Sequence, residues 1–272
     1  MKHLIVLPYF SRREIEIFSD IADLWTAVTR TDISYEFLLS SRYDCRPSRR
    51  LEEKYSRIAP ARSMRGITPA AGLFEPQPGF SAVGSSAMFW DTMEFIKRNY
   101  ESDGGFVFWF EADMVPLVPD WLDILTREWI TGRYLVMGKF IDRLWVEKHN
   151  PSWLSRMNEH INGGGCYSKD FCQWISRTRC NIKNPWDYEV FPHIQQNFPR
   201  MWKAVECIDF RYQQKSLNAP PDPAAVLLHG VKDGSARSFV KRKFECETVK
   251  NRKFRRVRNF FKKFKTVHAD SH

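Results

Sequence analysis

No apolar run in the 272 residues approaches the roughly 20 that cross a bilayer, so a membrane-spanning helix is excluded as the organising element. The first residues, Met1-Lys2-His3 followed by Leu4 to Leu7, close on Pro8 without a small-residue cleavage site, and no signal peptide is expected there. Six cysteines (Cys45, Cys166, Cys172, Cys180, Cys207, Cys246) contain no CxxC pair. That spacing argues against a zinc site and against a disulfide framework, and the thiols are expected to be reduced and cytoplasmic. A Gly-x4-Gly-Lys-Ser/Thr phosphate loop is absent, as is any internal repeat or any linker that would divide the chain in two. What is present, 43% hydrophobic and 15% aromatic residues, suffices for one large α/β domain with a substantial core.

Negative charge is scarce at one end only. Residues 1 to 236 carry 29 Lys and Arg against 29 Asp and Glu, whereas 237 to 265 carry 13 against 2. The chain therefore divides on charge into a neutral domain, 1–236, and a basic tail, 237–272. Phe254, Val257, Phe260, Phe261 and Phe264 recur in that tail at helical spacing. Such a basic amphipathic helix is expected on an anionic membrane surface, which would make the protein cytoplasmic and peripheral on the inner membrane face. The electrically neutral domain, without a nucleic-acid motif, argues against nucleic acid as partner.

Strands and helices alternate along the domain. His3 to Phe10 is an expected strand, Ser11 caps a helix with Ile15, Phe18, Ile21, Ala22 and Trp25 on one face, and Ile33 to Leu39 is a second strand. A βαβ start of this length implies a parallel pair. Residues 46 to 84, rich in Arg, Pro and Gly, are expected to form a long loop with a short helix near Leu51 to Arg57. Ser85 is the expected cap of the next helix, and Tyr134 to Met137 a further short strand.

The fully apolar run Phe106 to Phe110 ends in Glu111-Ala112-Asp113. Ligands of open α/β sheets collect beyond the carboxyl ends of such strands, and strand alternation would put both acids on one side, facing a hard cation or a hydroxyl-rich ligand. Three later segments supply matching groups. Gly163-Gly164-Gly165 would let backbone approach a ligand closely, or simply make a tight turn. Asp187 and Glu189, beside Trp186 and Tyr188, suit a sugar ring and the deprotonation of a hydroxyl, with helix capping as the ordinary alternative. His229 and Lys232 offer an imidazole and an amine after an apolar strand, where a lone core histidine is equally at home.

The order of these segments over residues 3 to 235 resembles the GT-A glycosyltransferases, the nucleotide-diphospho-sugar transferases. Glu111-Ala112-Asp113 is similar to that family's DxD motif, and His229-x-x-Lys232 to its C-terminal metal ligand and basic residue. The resemblance implies a Rossmann-like, mostly parallel sheet flanked by helices, followed here by the basic tail. It implies that Asp113 and His229 bind Mn²⁺ or Mg²⁺, that Glu111 contacts the ribose or metal-bound water, and that Lys232 neutralises the donor diphosphate. Pro8, Tyr9 and Ser41, at the ends of the first two strands, fall at the donor site. Asp187 becomes the candidate base of an inverting reaction, with Glu189 second; a retaining reaction would need neither. The segment Ser40-Ser41-Arg42-Tyr43-Asp44 lacks the acidic pair and serine run of the commonest members, which marks a divergent one. The implied reaction moves a sugar from a nucleotide-diphosphate sugar to a glycan or lipid-linked hydroxyl, as in cell-surface polysaccharide or lipopolysaccharide synthesis. Two other classes fit parts of the sequence: a sugar nucleotidyltransferase, for which Pro8 to Ser11 supplies no glycine-rich loop, and a non-catalytic adaptor acting through the tail.

Overall fold

The computed structural model describes residues 1–68, 83–149, 159–175 and 185–245. The chain opens with β1 (His3–Tyr9), α1 (Arg12–Val28) and β2 (Tyr35–Ser41), and β1 and β2 pair in parallel. Helix α1 starts where Ser11 accepts a hydrogen bond from Glu14 N, while the Glu14 carboxylate accepts from Phe10 N, a reciprocal cap at the end of the strand. Next come α2 (Arg49–Ser56) and β3 (Ala61–Arg65), which adds to β2 in parallel at the sheet edge. That strand falls in the stretch expected to be a loop, and its arginines hid it: only Met64 of its five residues is buried, as suits an edge. Helix α3 (Val83–Asn99) begins before Ser85, which lies within its first turn and is not the cap.

Strand β4 (Phe106–Trp109) pairs in parallel with β1 and leads through a turn to β5 (Val115–Pro116) and α4 (Trp121–Trp129). Beyond it lie β6 (Val136–Gly138), β7 (Phe140–Ile141), α5 (Arg143–His149), β8 (His160–Ile161), β9 (Cys166–Ser168), α6 (Phe171–Trp174) and α7 (Trp186–Asn197). The chain then forms β10 (Trp202–Ala204), β11 (Ile208–Gln214), β12 (Leu227–Val231) and helical turns over 235–245. The seven-stranded sheet runs β3-β2-β1-β4-β9-β6-β10, with β9 antiparallel to both neighbours; a second sheet runs β11-β12-β5.

Both faces of the large sheet are covered, which explains why β1 and β4 are buried along their whole length. Ile5, Leu7 and Tyr9 face α1, α2 and α4 in one cluster, and Leu4 and Val6 face α3, α6 and α7 in another. Ala236, Val240 and Phe244 of the last helix are buried with Val28 and Leu228, so the chain packs against the domain as far as residue 245. The remainder of the tail, with the five apolar residues from Phe254 to Phe264, lies outside the described residues.

Away from the carboxyl ends of the strands, His3 is fully buried, its ring 4.0 Å from that of Phe106. Its Nδ1 accepts from Phe106 N at 3.2 Å, so the neutral ring carries its proton on Nε2, 3.4 Å from Thr126 Oγ1. Burial, and then the neighbouring Lys169, lower the His3 pKa to about 4. The unfolded chain takes up this proton near pH 6.5 and the folded chain does not, so this share of stability is complete above pH 6.5 and disappears as pH falls toward 4. The loss is about 3 kcal/mol from this group. Urea unfolding at pH 7.5 and 4.5 should show it, and His3→Gln should flatten the difference.

Candidate active site

Continuous alternation does not carry β4 through Glu111 and Asp113. Met114 N donates to Glu111 O at 2.9 Å, closing a turn over 111–114, and this turn, not strand pleating, brings the two carboxylates together. The chain then enters β5, which pairs antiparallel with β12 through Leu228↔Val115 and Leu227↔Pro116. One step further along β12, His229 comes level with Met114 and meets the turn. The second sheet thus closes a sequence separation of more than a hundred residues.

His229 Nε2 lies 3.0 Å from Glu111 Oε2 and 3.3 Å from Asp113 Oδ1, and Lys232 Nζ donates to Asp113 Oδ2. Burial disfavours the His229 imidazolium, but the Asp113 and Glu111 carboxylates outweigh it and push the pKa up to about 9. The Asp113 carboxyl, although buried, is held well below the usual carboxylate range by His229 and Lys232. Lys232 is raised in turn: Asp113 outweighs its own desolvation. Two cationic side chains therefore balance two acids.

One oxygen of Glu111, one of Asp113 and one nitrogen of His229 all lie within 4.8 Å of one another. An octahedral ion with bonds of about 2.1 Å sets adjacent ligand atoms about 3.0 Å apart, which the two His229 separations of 3.0 and 3.3 Å match; His229 would have to give up its proton to serve as a ligand. Two carboxylates and one imidazole suit Mn²⁺ or Mg²⁺, the nitrogen favouring Mn²⁺. The His229 ring needs space that only glycine leaves. A Cβ on Gly164 would stand 2.9 Å from His229 Cε1 and 3.0 Å from Met114 Sδ, and one on Gly163 would stand 2.7 Å from the Trp186 ring. The glycine run is used for close packing of site residues against its backbone.

A cavity of about 640 Å³ opens beside this cluster, lined among others by Pro8, Phe10, Trp109, Glu111, Asp113 and Trp186. The Trp186 ring stacks on Phe89 at 4.7 Å and meets Trp109 edge-on at 5.6 Å, fixing the start of α7 against α3 and β4. Asp187 follows, buried behind Trp186 and not among the residues that line the cavity, with His160 Nε2 3.9 Å from its Oδ2. Burial, and then the charge of Glu111, raise its pKa to about 7.

The other expected residues separate. Pro8 lines the cavity, but Tyr9 is fully buried in the core and its hydroxyl accepts from Ser48 N at 2.9 Å. Ser41 is likewise buried, donating to Met64 O at 3.1 Å. Neither side chain is among those that line the cavity. Strand alternation is the reason: Pro8 and Phe10 share one side and Tyr9 the other. Phe10, 43% exposed at the cavity with the Arg42 guanidinium 4.7 Å over its ring, is the aromatic that the sequence reading passed over. Glu189 is two residues along α7 from Asp187, and on a helix that spacing turns the two carboxylates to different sides.

No protein-family model matches the sequence, and no curated protein sequence matches it. Solved structures do resemble the fold. Mouse xyloside xylosyltransferase 1 superposes with a TM-score of 0.54 at 8% identity, over 85% of this chain and 98% of that one. The galactosyltransferase LgtC with donor and acceptor sugar analogs gives 0.53 at 13% identity, over 86% and 88%. The active-site mutant Q189E of LgtC gives 0.51 at 13% identity, over 89% and 96%. At identities this low the likeness is one of fold, and that fold is the GT-A fold of nucleotide-sugar glycosyltransferases.

Proposed function

We propose that this chain is a metal-dependent glycosyltransferase that moves a sugar from a nucleotide-diphosphate sugar to a hydroxyl of a glycan or lipid-linked acceptor. The observation that carries the reading is the convergence of Glu111, Asp113 and His229 beside a cavity at the carboxyl end of β4. Glu111, Asp113 and His229 would hold Mn²⁺ or Mg²⁺, which when bound offsets the charge that builds on the departing diphosphate. Transfer breaks the bond from the anomeric carbon to the phosphate oxygen and forms one to the acceptor oxygen, whose proton needs a receiver. Lys232, paired with Asp113 and lining the cavity, would offer its ammonium to the leaving phosphate. Asp187, poised near neutrality, is the proposed proton acceptor of an inverting reaction. Trp186 and Trp109 contribute apolar lining to the cavity beside the acids.

Asp187→Asn keeps the shape and removes the base. The expected result is a 10²- to 10⁴-fold fall in kcat with donor affinity retained. A wild-type rate would remove Asp187 from the reaction. The reading as a whole is tested with nucleotide sugars of differing base and sugar, with and without Mn²⁺, scored by thermal stabilisation and hydrolysis. At least one should respond only when the cation is present.

The tail supports an acceptor held at a membrane. Its cations would draw it to anionic lipid, each near-surface base contributing about 1 kcal/mol. Because Val240 and Phe244 belong to the core, the informative truncation removes 246–272 only. It should abolish salt-sensitive binding to phosphatidylserine vesicles while leaving the melting temperature in place; retained binding would contradict the membrane assignment.

A further inference from the structure

Three cationic side chains gather at one end of the cavity, contributed by parts of the chain far apart in sequence. Arg13 comes from the first turn of α1, Lys232 from the end of β12, and Arg237 from the first turn of the last helix. Lys232 has Asp113 as partner. Arg13 donates Nη2 only to the carbonyl of Lys232, at 3.2 Å, and among the described residues neither arginine makes an ion pair. Arg237 is half-buried nonetheless. Gly234 turns over it at φ +84°, where a Cβ would stand 2.7 Å from Arg237 Nη2, so the 232–234 segment wraps the guanidinium. Its pKa is lowered by burial; Asp20, and then Asp233 and Asp113, oppose the shift, while Arg13 adds like charge. Two guanidinium groups near one another, one of them partly desolvated and neither in an ion pair among the described residues, line the cavity as bidentate donors, although Arg237 also borders a second cavity with Asp20, Asp23 and Asp233.

Charge accounting shows what they await. The cavity is lined by three acids, Glu14, Glu111 and Asp113, and by these three bases, and so is balanced by itself. A divalent cation on the acid cluster leaves it with two positive charges in excess. A nucleoside-diphosphate sugar carries two negative charges on its phosphates. Without Arg13 and Arg237 the cavity with its cation would carry no net charge, and the diphosphate would be left with the cation and Lys232 alone.

We infer that Arg13 and Arg237 bind the donor's diphosphate alongside Lys232, as a guanidinium pair on the side of the cavity formed by α1 and the last helix. This inference rests on the reading of the cavity as a nucleotide-sugar site. Lys232 would have to give up Asp113 to meet a phosphate, whereas neither arginine has an ion pair to give up among the described residues. They are binding residues, so their loss should appear in donor affinity and KM and much less in kcat.

The test is calorimetric titration of the full-length chain in Mn²⁺ with uridine, guanosine, adenosine, cytidine and thymidine diphosphates, followed by the matching nucleoside for the tightest. Arg13→Ala and Arg237→Ala should each weaken the diphosphate at least tenfold, and the double variant about a hundredfold or more. Mn²⁺ affinity, nucleoside affinity and melting temperature should stay near wild type, and Arg237→Lys should recover part of the loss. Unchanged diphosphate affinity in the folded double variant would overturn the inference while leaving the glycosyltransferase reading intact. Equal loss of nucleoside and diphosphate would overturn it too, since the arginines would then be shaping the cavity instead of contacting phosphate. If the wild-type chain binds none of the five diphosphates in Mn²⁺, both the inference and the reading beneath it fall.

Discussion

Asp113→Ala is expected to lower sugar transfer by at least three orders of magnitude and to abolish the Mn²⁺ dependence of nucleotide binding. The size of the effect follows from what the carboxylate does. It is nine-tenths buried, it approaches both His229 and Lys232, and it is one of three groups whose ligand atoms share a sphere fit for one ion. Removing it leaves Glu111 and His229 to hold a cation that needs several oxygens, and takes from Lys232 the partner that orients it. Asp113→Asn preserves volume while removing the charge, and should match the alanine variant closely if coordination is the role of this residue. Because Asp113 is buried against His229 and Lys232, the alanine variant should melt lower than wild type, and the asparagine variant, which keeps the volume, is the one to carry the comparison. A melting temperature near wild type together with absent Mn²⁺-dependent binding would separate loss of the site from loss of structure. Near-normal transfer by the asparagine variant would show that the ionised carboxylate is not needed.

The largest expected effect on stability is at the other end of the argument, in the core. Trp25 on α1 is 1% exposed and stands at the centre of an aromatic cluster: Phe37 at 5.0 Å, Phe110 and Trp121 at 5.7 Å, Tyr35 and Tyr55 at 6.4 Å. Its indole N–H donates to Tyr35 Oη at 3.0 Å. These neighbours come from β2, α2, α4 and the residue that follows β4, so the ring ties one face of the sheet to three helices. Trp25→Ala should cost about 3–5 kcal/mol, since large neighbouring rings cannot collapse into the space left. For a domain of marginal stability, about 5–15 kcal/mol, that is a fifth or more of the total. Urea unfolding should show the shift in midpoint without a change in slope, and Trp25→Phe should recover most of the packing while leaving the Tyr35 hydroxyl without its donor. A loss under 1 kcal/mol would mean that the cluster is not a packing centre.

Much of this was legible in the sequence because its signals are local. A buried parallel strand reads as an unbroken apolar run, and Leu4 to Leu7 and Phe106 to Phe110 say so plainly. Ser11 and Glu14, three apart before an amphipathic helix, announce a reciprocal cap. What was not legible depends on registers between distant segments. That His229 meets Asp113 is set by the pairing of two residues of β5 with β12, and no local pattern records it; only the order of the segments suggested it. Arg237 belonged to a charge run and was assigned with the tail, yet the buried Ala236, Val240 and Phe244 draw its helix onto the domain and its guanidinium to the cavity. The choice between Tyr9 and Phe10 was open to strand alternation: once Pro8 is taken to line a site, Phe10 follows and Tyr9 does not. The edge strand Ala61–Arg65 escaped because edges need few apolar residues.

The central claim is that Glu111, Asp113 and His229 bind one divalent cation that in turn enables the chain to hold a nucleotide diphosphate. Calorimetric titration of Mn²⁺ into the wild-type chain and into Asp113→Asn, each repeated with the nucleoside diphosphate that stabilises the wild type most, tests it most directly. The account predicts one Mn²⁺ per wild-type chain, tighter when the nucleotide is present, and neither binding event in the variant. Stoichiometric Mn²⁺ binding that survives in Asp113→Asn, or nucleotide binding indifferent to the cation, would contradict it.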